Sequence, residues 1–138
     1  MPARDKFHDV VKQVLIKDGW TITNDPLYLQ YEGTDVSIDF GAEKLIAAER
    51  QGERIAVEVK SFLADSILYE FHHVVGQCID YQVMIEQADP GRTLYIAIPT
   101  NVYSAFFQRP FAQLVIQRIQ MKLVIYNIQQ EVIEVWVK

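Results

Sequence analysis

The chain has 138 residues, half of them hydrophobic and 22% charged. That is the balance of a soluble globule and excludes an intrinsically disordered chain, and without repeats, low-complexity tracts or linkers residues 1–138 read as one domain. Net charge is −5, whereas non-specific binding to duplex DNA draws on a basic surplus, so any nucleic-acid contact has to come from a local patch, a metal ion or a partner.

The opening Met1-Pro2-Ala3-Arg4-Asp5-Lys6 lacks the apolar core of a secretory signal, and no later run approaches the roughly 18–20 apolar residues of a membrane helix. The expected address is the cytoplasm, with no membrane contact. Phe7, Val10, Val11, Val14 and Leu15 then recur at three- and four-residue steps, which predicts a helix with one apolar stripe. Gly19 stands where a helix C′ glycine belongs and ends that helix near Asp18. A short strand is predicted at Trp20 to Thr23, before a turn around Asn24-Asp25-Pro26. Val36, Ile38 and Phe40 alternate with Asp35, Ser37 and Asp39 in a β pattern. Leu45-Ile46-Ala47-Ala48 leads to Gln51-Gly52, and Arg54 to Lys60 follows, so the two runs read as a hairpin around a short glycine-containing loop.

A long helix is predicted from about Ser66 to Gln87, with Leu68, Phe71, Val75, Cys78, Ile79 and Ile85 facing inward and Pro90-Gly91 stopping it. Cys78, the single cysteine, has no disulfide partner and falls on that buried stripe as a core residue. Thr93 to Pro99 is an apolar strand of the kind buried on both faces. The helical region that follows carries Phe106, Phe107, Phe111, Leu114, Val115 and Ile119, with Pro110 either breaking it or opening its second half. Lys122 to Tyr126 and Val132 to Val137 close the chain as strands. Helices interleaved with a mixed sheet make an α/β domain.

The stretch that points to chemistry is Ile55-Ala56-Val57-Glu58-Val59-Lys60. Alternation places Ile55, Val57 and Val59 on one face and projects Glu58 and Lys60 together from the other, roughly 6.6 Å apart. Asp39 lies on an extended segment leading into the hairpin. Asp39 and Glu58 could hold a divalent cation through hard oxygen ligands, as Mg²⁺ prefers, with the backbone carbonyl of Val59 adding another. Such an ion polarises a phosphodiester and acidifies a bound water, and Lys60 could orient that water or neutralise developing charge. Glu43 or Glu49 could substitute for Asp39 if the register differs. Gln77 and Tyr81, at i and i+4 on the helix after the lysine, could reach a scissile phosphate or cap the sheet edge. The plainer alternative is a solvated strand face with a weak ion pair.

Asp39, the hairpin and Glu58-x-Lys60, after an opening helix, resemble the PD-(D/E)XK nuclease superfamily with its restriction-endonuclease-like fold. Gln77-x-x-x-Tyr81 is similar to a helix motif of several of its branches, whereas the proline usual before the aspartate is replaced by Ile38. Longer stretches resemble one branch, the XisH family: Pro2-Ala3-Arg4-Asp5, Phe7-His8-Asp9, Lys17-Asp18-Gly19-Trp20, Asp39 through Glu49, Ile55 through Phe62, Gly76-Gln77 and Tyr95 through Pro99. The resemblance implies a cyanobacterial controlling factor for excision of the fdxN DNA element during heterocyst differentiation. It also implies a companion, XisI, a site-specific recombinase and DNA as partners, and Mg²⁺ (with Mn²⁺ as substitute) as the cofactor of an active site. An endodeoxyribonuclease and a non-catalytic adaptor on the same scaffold both remain open.

In nucleases of this fold the opening helix often adds an acidic residue, which brings in His8, Asp5 and Asp9; carboxylates that complement the helix dipole account for Asp5 and Asp9 equally well. His72 and His73 are adjacent, so they point about 100° apart on a helix and read as surface residues. Tyr103, Phe106 and Phe107 form an aromatic cluster that reads as core packing, with a protein interface, including a homodimer, as the alternative.

Overall fold

The computed structural model describes residues 7–35, 45–63 and 65–138. Helix α1 (His8–Lys17) buries Val11, Val14 and Leu15 and ends at Asp18, where Gly19 takes a φ of +95° and turns the chain. Strand β1 (Thr21–Leu27) runs on through Asn24-Asp25-Pro26 in place of the predicted turn, absorbing the irregularity as register shifts against β4 (Leu45–Arg50). An edge strand tolerates this, because Pro26 has no N–H to donate and only one flank of the strand is paired. Two short strands, β2 (Gln30–Tyr31) and β3 (Thr34–Asp35), form a separate ribbon. The alternating residues Val36, Ile38 and Phe40 lie outside the described residues.

The hairpin forms as expected between β4 and β5 (Glu53–Val59). Arg50 pairs with Glu53, leaving Gln51-Gly52 as a two-residue loop with φ values of +52° and +83°, the positive-φ pair of a type I′ turn. Helix α2 (Ile67–Ala88) is capped by Ser66, whose hydroxyl accepts the Tyr69 N–H at 3.1 Å. It buries Phe71, Val74, Gln77, Cys78, Tyr81 and Ile85. Leu68 and Ile79, expected inside, are 48% and 42% exposed. A helix this rich in apolar residues offers two overlapping stripes, and the one with Val74 and Tyr81 meets the sheet.

Strand β6 (Arg92–Pro99) leads into a short helix α3 (Thr100–Val102) that continues as a π-helical turn over Tyr103–Phe107. Pro110 opens helix α4 (Pro110–Ile119), and β7 (Leu123–Asn127) and β8 (Val132–Val137) finish the chain. The sheet order is β1-β4-β5-β6-β7-β8, antiparallel except for the parallel pairs β5–β6 and β6–β7. Parallel neighbours require crossovers, supplied by α2 and by α3 with α4. These helices cover one sheet face, packing on Leu94, Ile96, Ile98, Leu123 and Ile125, while α1 covers Ile46, Ile55, Val57, Tyr95 and Val124 on the other. β6 is thus buried on both faces, as its composition predicts. Among the described residues no helix is long and apolar enough to cross a membrane.

Candidate functional site

Strand alternation places Ile55, Val57 and Val59 in the core beneath α1 and Ala56 in the core beneath α2. Glu58 therefore faces α2, and Lys60 follows two residues on. Neither is solvated: Glu58 is 1% exposed and Lys60 3%. The Lys60 N–H donates to the Ala97 carbonyl at 3.0 Å, which carries the parallel ladder one residue beyond β5 and fixes the lysine at the strand end. From α2, Gln77 and Tyr81 come down on this side of the sheet, both buried. The Tyr81 hydroxyl donates to Glu58 Oε2 across 3.5 Å, a long hydrogen bond.

A buried carboxylate next to a strand-end carbonyl is the donor chemistry of a hard cation, which takes oxygen ligands. Glu58 and the Val59 backbone are the described part of the predicted ligand set; Asp39 lies outside the described residues, as do Asp5 and Glu43. Among the described residues no three His, Cys, Asp or Glu side chains gather as a cation site. Glu49 lies elsewhere: it pairs with Arg54 at the hairpin end of the ladder, its carboxylate 3.7 Å from the guanidinium. Four residues of β5 separate that level from Glu58, roughly 13 Å, so Glu49 cannot share a cation with it.

An open hollow of about 410 Å³ begins just past Lys60, lined by Ser61, Phe62, Pro99, Thr100, Asn101 and Asn127 at the carboxyl ends of β5, β6 and β7. A larger one, about 860 Å³, lies at the opposite end of the sheet between Asp18, Glu49, Arg50 and the hairpin loop. It is an open depression whose Arg50 already pairs with Asp18 at 2.9 Å, and it is remote from Glu58.

On α1, His8 is buried and its Nε2 lies 2.8 Å from Asp25 Oδ1, while Lys12 Nζ lies 2.9 Å from Oδ2. Burial alone would raise the Asp25 pKa, but the Lys12 and His8 contacts outweigh it and hold the carboxyl below its ordinary value. Asn24-Asp25-Pro26 has the composition of a turn, so Asp25 does not stand out in the sequence as part of this cluster. The available signal was the i, i+4 spacing of His8 and Lys12, which puts two donors on one side of α1. Asp9 is exposed in the first turn of α1, where a carboxylate complements the dipole. His72 and His73 are exposed, as expected. Cys78 is buried and its thiol is pushed up to about 12 by burial. Phe106 and Phe107 pack on Phe71 with ring centroids 5.2 and 5.5 Å away, which is core packing.

Comparison with known proteins agrees in one direction. The family model described as XisH protein matches residues 1–134. A crystal structure of an XisH family protein from Nostoc punctiforme superposes with a TM-score of 0.90 at 48% identity, covering 97% of this chain and 100% of that one. A fdxN element excision controlling factor protein from Anabaena variabilis gives 0.88 at 47% identity, covering 96% and 98%. No curated protein sequence matches. With a whole-chain family match and two near-complete structural relatives, the chain belongs to the XisH family.

Proposed function

We propose that this protein is a controlling factor for the site-specific excision of a DNA element, built on a restriction-endonuclease-like scaffold with a Mg²⁺-dependent phosphodiester site at Asp39, Glu58 and Lys60. The observation that carries this reading is the burial of a carboxylate and an ammonium at one strand end, Glu58 and Lys60, with Tyr81 on the carboxylate. Removing each charge from water costs several kcal/mol before compensation, so an apolar pair would serve packing better, and ionisable groups kept buried in this way are functional-site candidates. The hollow past Lys60 lies at the carboxyl ends of parallel strands, where α/β folds place their ligands.

In this reading the Asp39 and Glu58 carboxylates and the Val59 carbonyl hold Mg²⁺, or Mn²⁺ in its place. The bound ion supplies Lewis-acid polarisation of the phosphodiester and a more acidic water. Lys60 orients the attacking water or neutralises charge gathering on the phosphate. Tyr81 is a positioning residue that orients the Glu58 carboxylate, and Gln77 lines the same side. DNA is the substrate, and an XisI-type companion and a site-specific recombinase are the partners. The net charge of −5 favours a second reading, a non-catalytic adaptor that reaches DNA through those partners.

Calorimetric titration of Mn²⁺ and Mg²⁺ into wild type and Glu58→Ala, beside cleavage assays on linear, supercoiled and branched DNA, separates the two. Cation binding and cleavage that both vanish in the variant support the phosphodiester site. No heat and no cleavage from wild type, with the companion present, leaves the adaptor.

A further inference from the structure

Helices α2 and α4 lie side by side: the Phe71 and Phe111 rings are 6.2 Å apart, and Gln82 Nε2 donates to the Ile119 carbonyl at 3.0 Å. On the outer side of this pair, Leu68 and Ile79 of α2 and Phe111 and Leu114 of α4 are 48%, 42%, 54% and 67% exposed. Val75 of α2 and Val115 of α4 are partly buried and pack against the core beneath them. These side chains leave on the order of 400 Å² of apolar surface in water, the size of the largest patch on an ordinary monomer, which is often functional. A specific interface buries about 800 Å² per partner, roughly 60% of it apolar, so this face supplies most of the apolar part of one side.

The charges around the patch select the partner. At 100° per residue Glu86 falls in line with Leu68 and Ile79 on α2, and Arg118 falls between Phe111 and Leu114 on α4, both exposed, while Glu70 and Asp80 lie well round the helix. A two-fold interface sets residue i on j and j on i. Laying α2 of one protomer over α4 of its partner therefore brings Glu86 to Arg118 twice, at the end of the apolar stripe. We propose that the α2–α4 face is the interface of a homodimer, with a second copy of this chain as its occupant.

Sedimentation equilibrium over a range reaching about 50 μM tests this on wild type, Leu114→Glu, Ile79→Glu and Arg118→Glu, with circular dichroism confirming that each is folded. The expected result is a wild-type dimer whose dissociation constant rises at least tenfold in either glutamate variant of the apolar centre, and rises less in Arg118→Glu. Leu114 and Ile79 sit on different helices, so one misfolded variant leaves the other to decide. A wild type that stays monomeric throughout overturns the proposal, including one that gains mass only with an XisI-type protein. So does a dimer whose dissociation constant none of the three variants shifts.

Discussion

Asp25 ties α1 to β1 because two donors on successive turns of the helix converge on its carboxylate. Its folded pKa lies below the unfolded value of about 3.9, so the unfolded chain takes up the proton first. The stabilisation is complete above the unfolded value and is lost as pH falls through the folded one. Asp25→Asn should cost about 1–3 kcal/mol at pH 7, and the gap from wild type should close as the solution is acidified; urea unfolding at a series of pH values measures both. Asp89 has the same sign, held below its ordinary value by Arg92 at 2.7 Å and Arg54 at 2.5 Å against the opposing effect of burial. Cys78 behaves differently. Burial removes both access and thiolate, so a thiol reagent at pH 8 should label it only in unfolding denaturant.

Two glycines show how the same residue type serves opposite ends at the level of the element. Gly52 takes a φ of +83° in the β4–β5 loop with open space where a Cβ would stand, so backbone strain alone opposes a side chain there. Gly76 sits inside α2, also with open space, and has no positive φ. Gly52→Ala should therefore destabilise by about 1 kcal/mol and Gly76→Ala should stabilise by about 1 kcal/mol. Thermal unfolding should move in opposite directions for the two. These elements also mark what local pattern can tell. The hairpin was legible because Gln51-Gly52 separates two β-rich runs, and the end of α1 was legible from Gly19. The continuation of β1 through Pro26 was not, because its edge position is a property of the sheet. The same holds for Leu68 and Ile79, which the pattern of α2 points inward and the structure exposes, while Phe71, Cys78 and Ile85 are buried as that pattern predicts.

At the scale of the whole molecule, a net charge of −5 opposes any approach to DNA. If Glu58 belongs to a cation site, duplex DNA should bind weakly in chelator and more tightly with Mn²⁺ or Mg²⁺, and Glu58→Gln should abolish the gain. Fluorescence anisotropy with and without the divalent ion reads this directly. Equal binding in wild type and variant, with the cation present, would place the DNA contact elsewhere.

By itself the sequence determined the class of the fold, the hairpin, the doubly buried β6 and the shared face of Glu58 and Lys60, because these follow from periodicity and turn chemistry within a few residues. It also carried the family, through long stretches of matched residues. Only the tertiary structure decided that Glu58 and Lys60 are buried, with Tyr81 on the Glu58 carboxylate, that Glu49 stands at the far end of the ladder, that Asp25 anchors α1, and that Leu68, Ile79, Phe111 and Leu114 face water. Burial depends on which helix lands on which sheet face, and that is settled by contacts between residues far apart in the chain.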